Sequence, residues 1–204
     1  FMDGSGKTVY LTGSHTWTNL QDNATYSTPL SYTSYLDLLQ SSNHNFIRLW
    51  GGKAGMRVNA PLPWLRTGPG TALDGEPQFD LYRFDQTYFD RLRDRVIEAG
   101  NRGIYVDIML FDGHTVHSDG AMAWEQHPFN LSNNANDING DPDGDGIGTE
   151  YLTLQVPAVV DAQKAYIRKV IDTVNDLDNV LYEIANEAQA TPAITDWQYE
   201  LINF

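Results

Sequence analysis

Strand-like runs alternate with helix-like ones, the strands are rich in β-branched residues, and no glycine-rich phosphate loop follows the first of them. Together these features predict an α/β fold of the (β/α)8 TIM-barrel type rather than an open doubly wound sheet. A barrel needs eight strand–helix units and typically about 250 residues. The 204 residues here hold about four units and two long loop insertions. The expectation is therefore one domain over 1–204 that forms the N-terminal part of a barrel.

The elements follow in order. Phe1-Met2 and Lys7–Leu11 flank Asp3-Gly4-Ser5-Gly6 as a small hairpin, whose second arm continues through Gly13 as a first buried strand. Tyr32, Tyr35, Leu36 and Leu39 at helical spacing predict a helix over 31–41. A second strand spans 45–50. Residues 51–80, rich in Gly and Pro, read as an excursion without a periodic element. Asp85 suits the N-cap of a helix lined by Tyr88, Leu92, Val96 and Ala99 and stopped near Gly100 or Gly103. A third strand covers 104–110, and a second excursion runs from about 111 to 156. Pro157 fits the first turn of a third helix, because its missing N–H costs little there. A fourth strand spans 179–185, and a fourth helix begins at Pro192.

Composition narrows the function classes. Lys plus Arg total 13 against 27 Asp plus Glu, a formal charge of -14. Such a field repels nucleic acid and anionic membrane, leaves neutral sugars unaffected and attracts divalent cations. The absence of cysteine excludes disulfides, thiolate metal sites and cysteine nucleophiles. With 41% hydrophobic and 12% aromatic residues the chain is expected to be globular. No apolar run reaches the length of a membrane span, and no segment reads as a signal peptide.

Each predicted strand ends in polar and aromatic groups. The first gives His15 and Trp17, the second Arg48 and Trp50, the third Asp112 and His114, and the fourth Asn186 and Glu187. Strand C-termini form the active-site face of a barrel. Rings beside hydrogen-bonding groups suit sugars, whose C–H faces stack while their hydroxyls are read by polar side chains. Arg48 inside an apolar strand requires a partner. Trp64 and Trp124, within the excursions, are either sugar platforms or loop anchors.

The run Val180-Leu181-Tyr182-Glu183-Ile184-Ala185-Asn186-Glu187 resembles the acid/base motif of clan A glycoside hydrolases, which include the family 5 cellulases and mannanases. The resemblance extends to Phe46–Trp50 with Arg48, loosely to Asp112-Gly113-His114, and to Tyr10–Trp17. It implies a retaining hydrolase of β-linked oligosaccharides or polysaccharides. Glu187 would be the proton donor, Asn186 would bind a sugar hydroxyl, and Arg48 would orient a carboxylate. A retaining mechanism needs two carboxyl groups about 5–5.5 Å apart. Glu183 lies too far from Glu187, roughly 13 Å along an extended strand. The clan's nucleophile ends the seventh strand, so none can be carried over to this chain. A non-catalytic carbohydrate-binding or degenerate barrel module, or a calcium-braced scaffold, stays open as an alternative.

The segment 137–150 has the oxygen-ligand spacing of a calcium loop. Asn139, Asp141, Asp143 and Glu150 fall at positions one, three, five and twelve; Gly144 stands at the sharp turn and Asp145 at the backbone-carbonyl position. A structural Ca2+ is expected there, and no organic cofactor. His114, His117 and His127 with Asp112 and Asp119 match no strong zinc spacing. A half barrel would leave its outer strands unpaired and inner residues such as Ile47, Val106 and Leu181 bare. A second half-barrel or self-association is expected to cover them. Calcium and a polymeric substrate suggest a secreted or periplasmic location.

Overall fold

In the computed structural model, which describes residues 1–2, 4–21, 30–51, 61–117 and 124–204, all four predicted helices form. Helix α1 spans Tyr32–Ser41 and α2 spans Gln86–Gly100, where the Asp85 carboxylate accepts from Thr87 N at 3.0 Å. A four-residue turn of helix, α3, covers His114–His117. Pro157 and Pro192 open α4 (Pro157–Val174) and α5 (Pro192–Asn203), the latter also capped by the Thr191 side chain. Among the described residues no helix is long and apolar enough to cross a membrane.

Strands β1 (Phe46–Trp50), β4 (Tyr105–Asp112) and β5 (Val180–Asn186) form a parallel sheet in the order β1-β4-β5. Central β4 is apolar but for Asp107 and Asp112, and most of it is buried. Alternation sends Ile47 and Leu49 of β1 and Val106 and Ile108 of β4 into a core shared with Leu36, Leu92, Val96 and Val170 from the helices. Each such residue, essentially without solvent exposure, contributes roughly 1.5–3 kcal/mol. The opposite face presents Arg48, Asp107 and Glu183. Ile47 and Val106 are thus not the bare inner residues expected, since they pack under the helices, whereas Leu181, in register with Asp107, stands on the face that carries the charged groups.

Two expectations about the strands are corrected. The first buried strand does not form. Residues 10–13 run beside β1 but make a single bridge, Gly13 to Phe46, and Tyr10 is largely exposed. Asparagine side chains do the pairing instead: Asn45 bonds to Thr12 N and Tyr10 O, while Asn19 bonds to Arg48 O and Trp50 N. Approach at the bridge is so close that a Cβ on Gly13 would lie 1.6 Å from the Phe46 carbonyl oxygen. Asp3, expected in the preceding turn, lies outside the described residues.

The first excursion, moreover, contains an antiparallel hairpin, β2 (Trp64–Thr71) with β3 (Pro77–Phe84). Register shifts around Gly68-Pro69-Gly70 break the two-residue alternation, which is why no strand period is visible there. Residues 52–60 of that excursion, and 118–123 of the second, lie outside the described residues. The second excursion docks on the hairpin. Asn133 accepts from Leu73 N, Asn136 accepts from Leu81 N, and Phe79 bridges Asn134. Trp64 and Trp124 are buried at this junction, Trp64 against Phe129 and Tyr166, so both are anchors rather than sugar platforms.

Candidate functional site

The C-terminal ends of β1, β4 and β5 converge on a cleft of about 230 Å³ lined by Trp17, Trp50, Asp112, His114, Asn186 and Glu187. All six were singled out in the sequence. The remaining two of that set lie beside them: His15 stacks on Trp50 with ring centroids 5.7 Å apart, and the Arg48 guanidinium sits 4.8 Å from the Trp50 ring centre.

Glu187 follows β5 directly, is exposed, and has φ +46°. That left-handed backbone is unfavourable for a residue with a Cβ and turns its side chain out of the strand's alternation. Gly113 lies against it. Gly113 N donates to Asn186 O at 2.7 Å, and a Cβ on Gly113 would stand 2.7 Å from Glu187 O. Glycine at 113 therefore lets the loop after β4 lie against the backbone that presents Glu187.

Beneath the cleft runs a chain of polar groups. Asp112 Oδ1 accepts from Asn186 Nδ2 at 2.9 Å and from His114 N at 3.2 Å. Asn186 Oδ1 accepts from Arg48 Nη1 at 3.0 Å. Arg48 in turn grips Glu183 with two nitrogens, Nε to Oε2 at 2.6 Å and Nη2 to Oε1. This fork is the partner that a guanidinium in an apolar strand requires. It also fixes the Asn186 amide: the oxygen faces Arg48, one N–H faces Asp112, and among the described residues one N–H is left for a ligand.

The charges beside this chain are tuned by burial. Partial burial, then the positive charge of Arg48, lowers the His15 pKa below its ordinary value, favouring a neutral ring over Trp50. Burial, then the negative charge of Glu183, raises the Asp107 carboxyl to about 6.

Glu183 and Asp107 are the site residues that the sequence reading did not assign. A signal for them existed: both are carboxylates interrupting apolar strands, as Arg48 is a cation interrupting one, and three such interruptions on neighbouring strands imply mutual neutralisation.

In the acidic segment, carboxylate oxygens of Asp141, Asp143 and Glu150 gather within 4.8 Å of one another. Asp145 stands outside that group and accepts from Ile147 N, and Asn139 accepts from Asp141 N. Glu150 Oε2 is buried and has no hydrogen-bond partner among the described residues. Burial, then the neighbouring aspartates, raises its pKa. Of the histidines in the second excursion, His127 is buried beside Trp124 and Tyr151, where its Nδ1 accepts from Phe129 N.

Comparison with solved structures places this fold among glycoside hydrolases. The endo-glycoceramidase II of Rhodococcus sp. superposes with a TM-score of 0.60 at 19% identity, over 98% of this chain and 46% of that one. An exo-beta-1,4-mannosidase from Opitutaceae bacterium strain TAV5 gives 0.58 at 18%, over 100% and 31%. A glycoside hydrolase family 5 protein of Bacteroides vulgatus gives 0.55 at 13%, over 99% and 33%. The chain thus spans between about a third and a half of the length of these structures. No curated protein sequence matches it. A family model described as a domain of unknown function, DUF6298, matches residues 2–199, and the chain belongs to that family.

Proposed function

We propose that this chain is the acid/base part of a retaining glycoside hydrolase acting on β-linked oligosaccharides or polysaccharides. The observation that carries the reading is the convergence of three strand ends on one cleft with Glu187 at its rim, over an Asn186 amide fixed by Arg48 and Asp112. Trp17, exposed beside the cleft, offers its ring for the sugar's C–H face, while Trp50, itself buried, forms the cleft wall under His15 and Arg48. Asn186 offers its remaining N–H to a sugar oxygen. Glu187 protonates the leaving glycosidic oxygen and then takes the proton of the attacking water. The nucleophile belongs to a part of the protein beyond these 204 residues. The test is sugar release from β-glucans, mannans and xylans by the protein expressed from its whole natural reading frame. Turnover abolished by Glu187→Gln supports the assignment; turnover indifferent to that change overturns it and leaves a sugar-binding module.

The second half-barrel is proposed to lie against β5. Among the described residues that strand pairs only with β4, and an apolar groove beside it is lined by Leu110, Ile167, Ile171, Ile184, Leu201 and Ile202. Strands and helices of a completed barrel would cover it.

A structural calcium ion is proposed at Asp141, Asp143 and Glu150, with Asn139 and the backbone at Asp145 completing the shell. Three carboxylates held together and a buried Glu150 oxygen, unpaired among the described residues, suit a hard cation that takes oxygen ligands. The ion would brace the second excursion against the hairpin. Export of the protein, to the periplasm or the medium, fits a calcium site and a polymeric substrate.

A further inference from the structure

We propose that Asp107 is a positioning residue that works as a neutral acid, its carboxyl proton donated to Glu183 so that Arg48 and Asn186 stay fixed beneath the cleft. The consequence for sugar binding rests on the function proposed above; the proton itself does not.

Register brings the groups together. Asp107 stands opposite Arg48 across the β1–β4 ladder and opposite Leu181 across the β4–β5 ladder, with Glu183 two residues further along β5. Directly opposite and diagonal side chains on one face of a sheet are within reach of each other. Arg48 nevertheless directs its Nε and Nη2 to Glu183 and its Nη1 to Asn186. The Asp107 and Glu183 carboxyl groups stand close enough for a hydrogen bond between them, which favours the protonated form of Asp107. Two carboxylates cannot form such a bond, since each only accepts, and their like charges beside a single guanidinium favour a proton on one of them. Glu183, already held by the guanidinium fork, is the natural anion, which leaves the proton on Asp107.

Charge matching gives the arrangement its purpose. With Asp107 neutral, one guanidinium faces one carboxylate, and the fork is undisturbed. When the proton leaves to solvent, two negative charges compete for Arg48, and the guanidinium is drawn from Asn186 towards β4. The charged groups facing Asp107 are Arg48 from β1 and Glu183 from β5, with His15 of the N-terminal segment beyond them, next to both. Burial of Asp107 keeps the titration above the usual carboxylate range, with its midpoint at about 6.

The experiment is a carboxyl carbon NMR titration of the protein expressed from its whole natural reading frame. Resonances are assigned to Asp107 by their loss in Asp107→Asn, and the Arg48 Nε resonance is followed in parallel. We expect Asp107 to titrate near pH 6, and Arg48 Nε to shift with the same midpoint. A midpoint at or below about pH 4, the ordinary range, or an Arg48 signal indifferent to the step, overturns the proposal. Glu183→Gln provides a second variant. Freed from its carboxylate partner, Arg48 should pull the Asp107 midpoint down into the ordinary range, and an unmoved midpoint counts against the mechanism. Affinity for cellohexaose and mannohexaose should fall about tenfold between about pH 5 and about pH 7.5, the effect of one unit of coupling. It should stay nearly flat in Asp107→Asn, whose amide still donates to Glu183; an unchanged pH dependence in that variant overturns the positioning role. If neither sugar binds at any pH, the hydrolase reading fails while the NMR arms still decide the proton.

Discussion

Gly113 and Glu187 meet backbone to backbone: a Cβ at 113 would stand 2.7 Å from the Glu187 carbonyl oxygen and 2.9 Å from both Ala188 N and Ala188 Cα. These are backbone atoms, so no flexible side chain can give way. Gly113→Ala must therefore shift either the loop after β4 or the turn carrying Glu187. Overpacking of this kind costs about 1–3 kcal/mol. We expect a lower thermal midpoint together with a loss of kcat well beyond what the fraction unfolded explains. A variant with full activity and lowered stability would show that the Glu187 turn tolerates the shift.

Arg48→Lys keeps the charge and removes the fork. One ammonium cannot hold both Glu183 oxygens and the Asn186 amide in the geometry of a planar guanidinium. Both side chains of the pair retain some solvent exposure, 21% for Arg48 and 27% for Glu183. The stability loss should therefore fall below the 3–5 kcal/mol typical of a fully buried broken pair, at about 1–2 kcal/mol. Sugar affinity should fall further, because Asn186 loses the donor that fixes its amide. Isothermal titration alongside denaturant unfolding separates the two effects; equal losses in both would reduce Arg48 to a structural role.

The helices and the parallel strands were legible because their signals are local: Asp85 and Pro157 mark helix starts, and buried runs such as Tyr105–Leu110 mark strands. The cleft was legible because barrels gather strand ends, so residues distant in sequence could be grouped before any distance was known. What escaped depended on non-local contacts. The β2–β3 hairpin is disguised by the bulged Gly68-Pro69-Gly70 corner. The extended segment at 10–13 has strand-like residues, yet Asn19 and Asn45 take over its pairing with β1. Spacing along the strand excludes Glu183 as a nucleophile but says nothing of its bond to Arg48, 135 residues away in sequence, which depends on the sheet register.

Calcium should raise the thermal midpoint, by about 2.7 kcal/mol of stability at a hundred times its dissociation constant. Asp141→Asn and Glu150→Gln should each abolish the increment. The direction with pH follows from Glu150, whose carboxyl titrates above its ordinary value. A proton competes with the ion for that oxygen, so calcium affinity should weaken as pH falls. Calorimetric titration with calcium at two pH values checks the sign. A midpoint indifferent to calcium and to chelator would reduce the acidic run to a solvated loop.

The open edge of β5 and its apolar groove predict association when the 204 residues are expressed alone. Ile202 is 61% exposed beside this groove. We expect light scattering to show dimers or larger species, and Ile202→Lys to shift the population towards monomer at little cost in stability. A well-behaved monomer of the unmodified chain would count against the need for a second half-barrel.

Burial of His127 makes the second excursion sensitive to acid. Its ring is enclosed by Trp124, Phe129 and Tyr151, and burial lowers its pKa from 6.5 to about 3. Between those values the unfolded chain takes up a proton that the folded one refuses. The contribution is thus neutral above pH 6.5 and turns against folding as pH drops towards 3, at up to about 1.4 kcal/mol per pH unit. Replacing His127 by Phe removes the titrating group but leaves Phe129 N without its acceptor. That variant should lose about 1–3 kcal/mol at neutral pH, yet show a shallower decline in acid. Urea unfolding of both proteins across this range tests the crossover: parallel declines would place the acid sensitivity elsewhere, whereas converging curves assign it to His127.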